Sequence, residues 1–122
     1  PRCLRDLVHL AKLRPGLVPV LGDARKHSAW GVMVSTKVDW LLQDVSQAGQ
    51  AEIFIKAVNR FLKPGGKALL SLKAASERFS EEGEKQVFRD VREQLEEAGL
   101  NIEEQIDLHG LEDNHCLYFV TI

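Results

Sequence analysis

Hydrophobic and polar positions vary along this chain with two periods, one typical of helices and one typical of short buried strands. Apolar residues at helical spacing predict helices over residues 2–13, 28–35, 48–62 and 81–98. Short apolar runs bounded by turn residues predict strands over residues 17–21, 38–42, 67–74, 101–108 and 115–122. Because helices and strands follow one another in turn, the pattern predicts a three-layer α/β domain with a mostly parallel sheet.

The last two predicted strands lie close together in the sequence, so we expect them to form an antiparallel pair at the edge of the sheet. A terminal antiparallel strand is similar to the arrangement in class I S-adenosylmethionine-dependent methyltransferases. The pattern of helices and strands by itself also fits a flavodoxin-like fold. The segment LKPGG, residues 62–66, favours the first fold because this helix-to-strand turn recurs in class I methyltransferases. Chemically, its proline ends a helix and its glycines permit a tight turn.

Composition limits the kinds of partner. The 122 residues are enough for one domain with a buried core. With a net charge of −2 and a pI near 6.1, the chain lacks the strongly basic composition of a protein that binds nucleic acid without a partner. No apolar run approaches the ~18 residues of a membrane span, so we expect no membrane partner. Cys3 and Cys116 are far apart and are expected to be reduced thiols.

Three polar side chains mark the ends of predicted strands. Asp44 follows the strand VDWLL, Lys73 lies near the end of the strand KALLSLKA, and His115 lies where the last strand begins. In an open α/β sheet, ligands bind in the crevice outside such strand ends. A partly desolvated lysine can act as a base near neutral pH, and an imidazole can exchange a proton there.

Each of these residues also has a purely structural interpretation. Asp44 could cap the helix that follows it, Lys73 could extend its ammonium from a strand end into solvent, and His115 could be a solvated turn residue. His and Cys residues show no metal-ligand spacing, so we expect no metal.

Three motifs together resemble the fibrillarin family of guide-directed RNA ribose 2′-O-methyltransferases, and the similarity runs from Pro1 to Ile122. DVSQAGQA, residues 44–51, is similar to the family's DVAQ-x-x-QA segment. LHGLEDNHCLYFV, residues 108–120, is similar to LEPYEKDHALFVV, with a different pair before the turn. GDA, residues 22–24, matches the turn after a strand that contacts adenine in the family.

The resemblance implies S-adenosylmethionine as the methyl donor and a role for each matched residue. Asp44, Lys73 and His115 would be catalytic, with Lys73 deprotonating or orienting the ribose 2′-hydroxyl. Asp44 and Gln47 would border the donor. Asp23 would accept a hydrogen bond from the adenine amino group, and the Ala24 N–H would donate to the ring.

The resemblance also implies partners and a location. The substrate would be rRNA or tRNA nucleotides selected by a guide RNA in a box C/D-type ribonucleoprotein, with a scaffold protein of the Nop5/Nop56/58 type. The protein would be cytoplasmic in an archaeon, which we favour, or nucleolar in a eukaryote.

The sequence matches only part of the family pattern. It has no Gly-rich turn after a first strand and no acidic end to a second strand, and three of four catalytic positions can be matched. We therefore expect residues 1–122 to be the C-terminal part of a single Rossmann-like methyltransferase domain. Two alternatives remain, namely another class I methyltransferase with a small-molecule or protein substrate, and a non-catalytic relative that docks on a ribonucleoprotein.

The predicted strand 17–21 poses a pairing problem. In the methyltransferase sheet order it would pair with a strand that this sequence does not contain, and strand 38–42 would present an open edge. We expect either that further residues precede these or that 17–21 repacks, against 38–42 or in a shared dimer.

The net charge of −2 predicts that the chain alone binds RNA weakly, since no Lys/Arg stripe with interleaved aromatic residues is present. Fluorescence anisotropy with a labelled RNA at physiological salt should show no saturation below about 1 μM, a value typical of weak non-specific contacts. Submicromolar affinity under those conditions would contradict this expectation.

Overall fold

The computed structural model describes residues 2–77, 83–108, 110–111 and 114–122. These form two units, residues 1–33 and residues 34–122. Among the described residues, no helix is long and apolar enough to cross a membrane.

The first unit contains a long helix, a connecting segment and a short helical turn. Helix α1 covers Arg2–Leu13, helix α2 covers His27–Trp30, and a 3₁₀ turn covers Gly31–Met33. These agree with the predicted helices 2–13 and 28–35. None of the residues of α1 is buried.

The predicted strand 17–21 is wrong. Residues 17–23 have no regular secondary structure, and Val18 and Leu21 are 69% and 68% exposed. A strand needs a hydrogen-bonded neighbour, and no described strand pairs with this segment, so its apolar character is not enough to make it a strand. Pro19, which cannot donate a backbone hydrogen bond, also disfavours a strand here.

The second unit is a four-stranded mixed sheet with the order β1-β2-β4-β3. Its elements in chain order are β1 (Val38–Asp44), α3 (Gln50–Phe61), β2 (Leu62–Lys73), a 3₁₀ turn (Ala74–Ser76), α4 (Glu84–Glu97), β3 (Asn101–Asp107) and β4 (His115–Thr121). Strands β1 and β2 are parallel, and β4 runs antiparallel to both β2 and β3. Three strands thus share one direction and the last strand opposes them, which confirms the α/β prediction with a terminal antiparallel strand.

Strand β2 begins earlier than predicted. It starts at Leu62 and includes the LKPGG segment, with a register irregularity opposite β1 between Val38 and Trp40. Gly65 has a φ of +80°, and a Cβ on Gly66 would lie 2.7 Å from Leu62 Cδ1. The two glycines therefore shape an irregular strand start rather than a separate turn. Residues 81 and 82 of the predicted fourth helix lie outside the described residues.

Helices α3 and α4 cover one face of the sheet and enclose the core. Alternate residues of the strands point toward them, because side chains on a strand alternate between its two faces. The fully buried side chains include Phe54, Val58, Leu70, Leu72, Leu95 and Tyr118. Tyr118 is polar, and its hydroxyl donates a 2.7 Å hydrogen bond to the Phe88 carbonyl of α4. Burial raises the pKa of this phenol well above its ordinary value.

The opposite face is more open. Trp40 is 56% exposed and Leu42 is 69% exposed, and the Trp40 ring stacks on Phe119 at 6.1 Å. Among the described strands, β1 pairs only with β2, so it forms the edge that the sequence led us to expect.

Tyr118→Phe should lower the free energy of unfolding by about 1 kcal/mol, because it removes a buried hydrogen bond between β4 and α4 without changing the ring. Urea denaturation followed by far-UV circular dichroism measures this, and the slope of the unfolding free energy against urea concentration should stay the same. An unchanged free energy of unfolding would show that the hydrogen bond of the hydroxyl makes no net contribution to stability.

Candidate active site

Strand direction brings Asp44, Lys73 and His115 to one edge of the sheet. Asp44 is the last residue of β1, and Lys73 is the last residue of β2. Because these strands are parallel, their carboxyl ends lie at the same edge. Strand β4 runs the other way, so its first residue, His115, lies at that edge too. We call this edge the rim.

The three side chains also share one face of the sheet. In the strand register, Asp44 lies opposite Ser71 and Lys73 lies opposite His115. Residues that face each other across strands point to the same side, and every second residue along a strand does so again. Leu70 and Leu72, which flank Ser71, point into the helix-covered core. The three rim side chains therefore lie on the face away from α3 and α4.

Exposure differs among the three residues. Asp44 is exposed and Lys73 is half-buried, whereas His115 is only 8% exposed. The carboxylate is therefore open to a ligand in solvent, while the imidazole is held in a packed environment. The Ala74 N–H donates to the Asn114 carbonyl at 2.8 Å, which extends the β2–β4 pairing to the turn before His115.

Gln47 lies between β1 and α3, and its amide is incompletely bonded. The Nε2 atom is buried and has no hydrogen-bond partner among the described residues. A buried amide donor without a partner costs about 1–3 kcal/mol. A ligand with an acceptor at this position would remove that cost, so this atom fits a binding role.

Asp23 and Ala24 belong to the first unit, and the register of the sheet does not include them. The Asp23 carboxylate accepts hydrogen bonds from the Arg25 N–H at 2.9 Å and from Arg25 Nη2 at 2.8 Å. The Arg25 side chain holds the pKa of this carboxyl well below its ordinary value. The sequence motif gave no sign of this pairing, which means that a ligand donor at Asp23 would share its oxygens with Arg25.

The structure adds two residues that the sequence analysis missed. The Gln50 side chain pairs with the backbone of Lys73, and the Glu77 carboxylate accepts from the N–H groups of Gly49 and Gln50 at 3.2 and 2.9 Å. Glu77 thus bonds two of the first free N–H groups of α3, where a negative charge is favourable. The second glutamine of QAGQ was visible in the family-like motif, but nothing in the sequence linked it to residues 73 and 77.

No group of three His, Cys, Asp or Glu residues within the described ranges could hold a metal ion. Cys3 and Cys116 are both free, as predicted, with Cys3 exposed and Cys116 buried. Desolvation raises the pKa of the Cys116 thiol.

Comparison with known proteins places this geometry in a family. The family described as Fibrillarin matches residues 1–122. A fibrillarin-like rRNA/tRNA 2′-O-methyltransferase from Methanocaldococcus jannaschii is 36% identical over 118 residues, which is 97% of this chain and 50% of that protein. The protein of the same name from Thermococcus sibiricus is 41% identical over 120 residues, 98% of this chain and 52% of its own length. The chain therefore spans about half the length of these relatives.

Solved structures agree. A pre-rRNA processing fibrillarin from Methanococcus jannaschii superposes with a TM-score of 0.88 at 35% identity, over 99% of this chain and 52% of that one. A fibrillarin/Nop5p complex gives 0.87 at 28% identity, over 98% and 56%. Aeropyrum pernix fibrillarin with natively bound S-adenosyl-L-methionine gives 0.82 at 28% identity, over 99% and 52%. The mixed sheet is thus that of a class I methyltransferase, and the chain belongs to the fibrillarin family.

Proposed function

We propose that residues 1–122 form the C-terminal part of a methyltransferase domain that methylates ribose 2′-hydroxyl groups of guide-selected rRNA or tRNA nucleotides. One observation carries the proposal: Asp44, Lys73 and His115 share one rim and one face of the sheet. The relatives that match most of this chain are named as rRNA/tRNA 2′-O-methyltransferases, which supports the same reaction here.

S-adenosylmethionine is the methyl donor in this proposal. A structural neighbour binds it. In this chain the buried Gln47 Nε2, which has no hydrogen-bond partner among the described residues, could donate to an acceptor of such a ligand. Asp23 would accept from the adenine amino group and the Ala24 N–H would donate to the ring, as the GDA motif suggests. The donor supplies a methyl group on a positively charged sulfonium, which is already reactive.

The residues of the rim divide the remaining work. As the ribose oxygen bonds to the methyl carbon, the carbon–sulfur bond breaks and the neutral thioether leaves. Lys73, as the neutral amine, accepts the proton of the 2′-hydroxyl. Asp44 orients Lys73 and stabilises positive charge beside the donor, which the exposure of its carboxylate permits. His115, opposite Lys73, completes the polar network. Much of the rate comes from alignment of the two reactants, because the donor needs little further activation.

The charge distribution supports an RNA substrate that is held mainly by partners. Residues 1–33 contain six Lys or Arg and two Asp, a net charge of +4, whereas residues 34–122 contain ten basic and sixteen acidic residues, a net charge of −6. Phosphate contacts would therefore favour the first unit, and the acidic second unit would repel a bare RNA backbone.

A protein scaffold would supply the missing affinity. One structural neighbour is a fibrillarin/Nop5p complex, so we assign this chain a scaffold of the Nop5/Nop56/58 type in a box C/D-type ribonucleoprotein with guide and target RNA. The relatives from Methanocaldococcus jannaschii and Thermococcus sibiricus are archaeal proteins, so we propose the archaeal cytoplasm as the location of this chain.

Lys73→Ala in the whole protein should abolish methyl transfer to a guided RNA, because it removes the group that handles the 2′-hydroxyl proton. Incorporation of label from S-[methyl-³H]adenosylmethionine measures this. Lys67→Ala is the matched control, since Lys67 lies on the same strand and the same face but away from the rim.

Asp44→Asn should also reduce turnover, by at least about tenfold, because it removes a charge near the sulfonium.

Equal turnover by Lys73→Ala and its parent would exclude Lys73 from the reaction. Asp44→Asn turnover within a factor of two of the parent would exclude the charge of Asp44.

Gln47→Leu should weaken S-adenosylmethionine binding by roughly fivefold, the equivalent of one hydrogen bond of about 1 kcal/mol. The ligand-free protein should be no less stable, because the substitution also removes a buried donor that lacks a partner. Isothermal titration calorimetry and thermal denaturation measure the two effects. Gln94→Leu, at an exposed position of α4, is the control. Unchanged affinity in Gln47→Leu would show that the amide does not contact the donor.

A further inference from the structure

The Gln50 side chain bonds both backbone groups of Lys73. Its Oε1 accepts from the Lys73 N–H at 3.0 Å, and its Nε2 donates to the Lys73 carbonyl at 2.9 Å. This two-bond contact reproduces what a neighbouring strand would offer. Strand β1 cannot offer it, because the last paired residue of β1 is Asp44, opposite Ser71. Gln50 therefore takes the place of β1 at the end of β2.

This contact determines how Lys73 meets His115. The N–H and C=O of one strand residue point to the same side, and in Lys73 both point to Gln50. Lys73 and His115 are consequently a non-hydrogen-bonded pair of the antiparallel strands β2 and β4, with Ala74 making the next bond to Asn114. In such pairs the Cα atoms are about 4.5 Å apart and the side chains are closest.

Gln50 is itself held rigidly. It is fully buried, and its backbone N–H donates to Glu77 Oε1 at 2.9 Å while its carbonyl accepts from Gln43 Nε2 at 2.8 Å. Its Nε2 also donates to Glu77 Oε1 at 3.1 Å. One residue thus joins β1, the start of α3, the end of β2 and the segment after it.

We propose that Gln50 is a positioning residue, which holds the backbone of Lys73 so that its side-chain nitrogen faces His115 and the Asp44 end of β1. The inference rests on the proposed methyl transfer. Gln50 touches no reacting atom itself and acts through Lys73. A solely structural glutamine would stabilise the fold, whereas this contact acts on the one lysine of β2 at the rim.

Gln50→Met in the whole protein tests the role, because methionine keeps the length of the side chain and cannot make any of the hydrogen bonds of the Gln50 amide. Tyr118→Phe is the matched control, since it also loses a buried hydrogen bond but lies away from the rim. We expect Gln50→Met to lower kcat by roughly tenfold or more through misalignment, with a smaller change in KM for the RNA and the methyl donor. We expect Tyr118→Phe to leave kcat unchanged when both variants are fully folded.

Amide hydrogen exchange gives a second readout that does not need activity. In the parent, the Lys73 amide should be protected although it has no strand partner on that side, and in Gln50→Met it should exchange at least about tenfold faster while Leu70 stays protected. Should Gln50→Met not fold, an unprotected Lys73 amide in the parent would by itself overturn the proposal.

The outcomes separate this inference from the proposed function. Faster exchange at Lys73 with normal kcat would overturn the positioning role alone. A parent that transfers no methyl group to guided RNA would overturn the proposed function and with it the role of Gln50 in transfer, even if the backbone contact is confirmed by exchange.

Discussion

The end of strand β2 is bonded on both sides, by β4 on one and by the Gln50 amide on the other, and the candidate site depends on this arrangement. Strand β4 supplies His115 opposite Lys73 only because it runs antiparallel and begins where β2 ends. The Gln50 amide completes the bonding where β1 has ended at Asp44. Three polar side chains from three strands thus share one rim through the strand pairing and the Gln50 side-chain contact.

The two faces of the sheet have different roles. One face is closed by α3 and α4 and contains the buried apolar cluster, so it supplies most of the stability of the second unit. The other carries the rim residues together with the exposed Trp40 and Leu42. A reactive site on the open face can change its polar residues without disturbing the core, which is consistent with the usual placement of ligands outside strand ends.

Much of this could be predicted from the sequence, because it depends on local pattern. Asp44, Lys73 and His115 were identified as strand-end residues, and strand direction then brings them to one edge. The strand prediction for residues 17–21 was wrong because a strand depends on a neighbouring strand, which the local sequence does not specify.

Long-range polar contacts could not be predicted either, because the local sequence does not specify a partner that lies far along the chain. Gln50 bonds a residue 23 positions away and Glu77 bonds one 27 positions away. Neither contact has a sequence period, and a glutamine or a glutamate is usually a surface residue. The Arg25 pairing of Asp23 is local, but the GDA motif describes a turn and not the residue that follows it.

A crystal structure of the whole protein with S-adenosylmethionine would show whether the rim is the site of methyl transfer. We expect Gln47 Nε2 to donate to the bound molecule, and we expect the methyl group to lie on the face of the sheet that carries Asp44, Lys73 and His115. Binding against the helix-covered face, or out of reach of Lys73 and His115, would show that the rim is not the site.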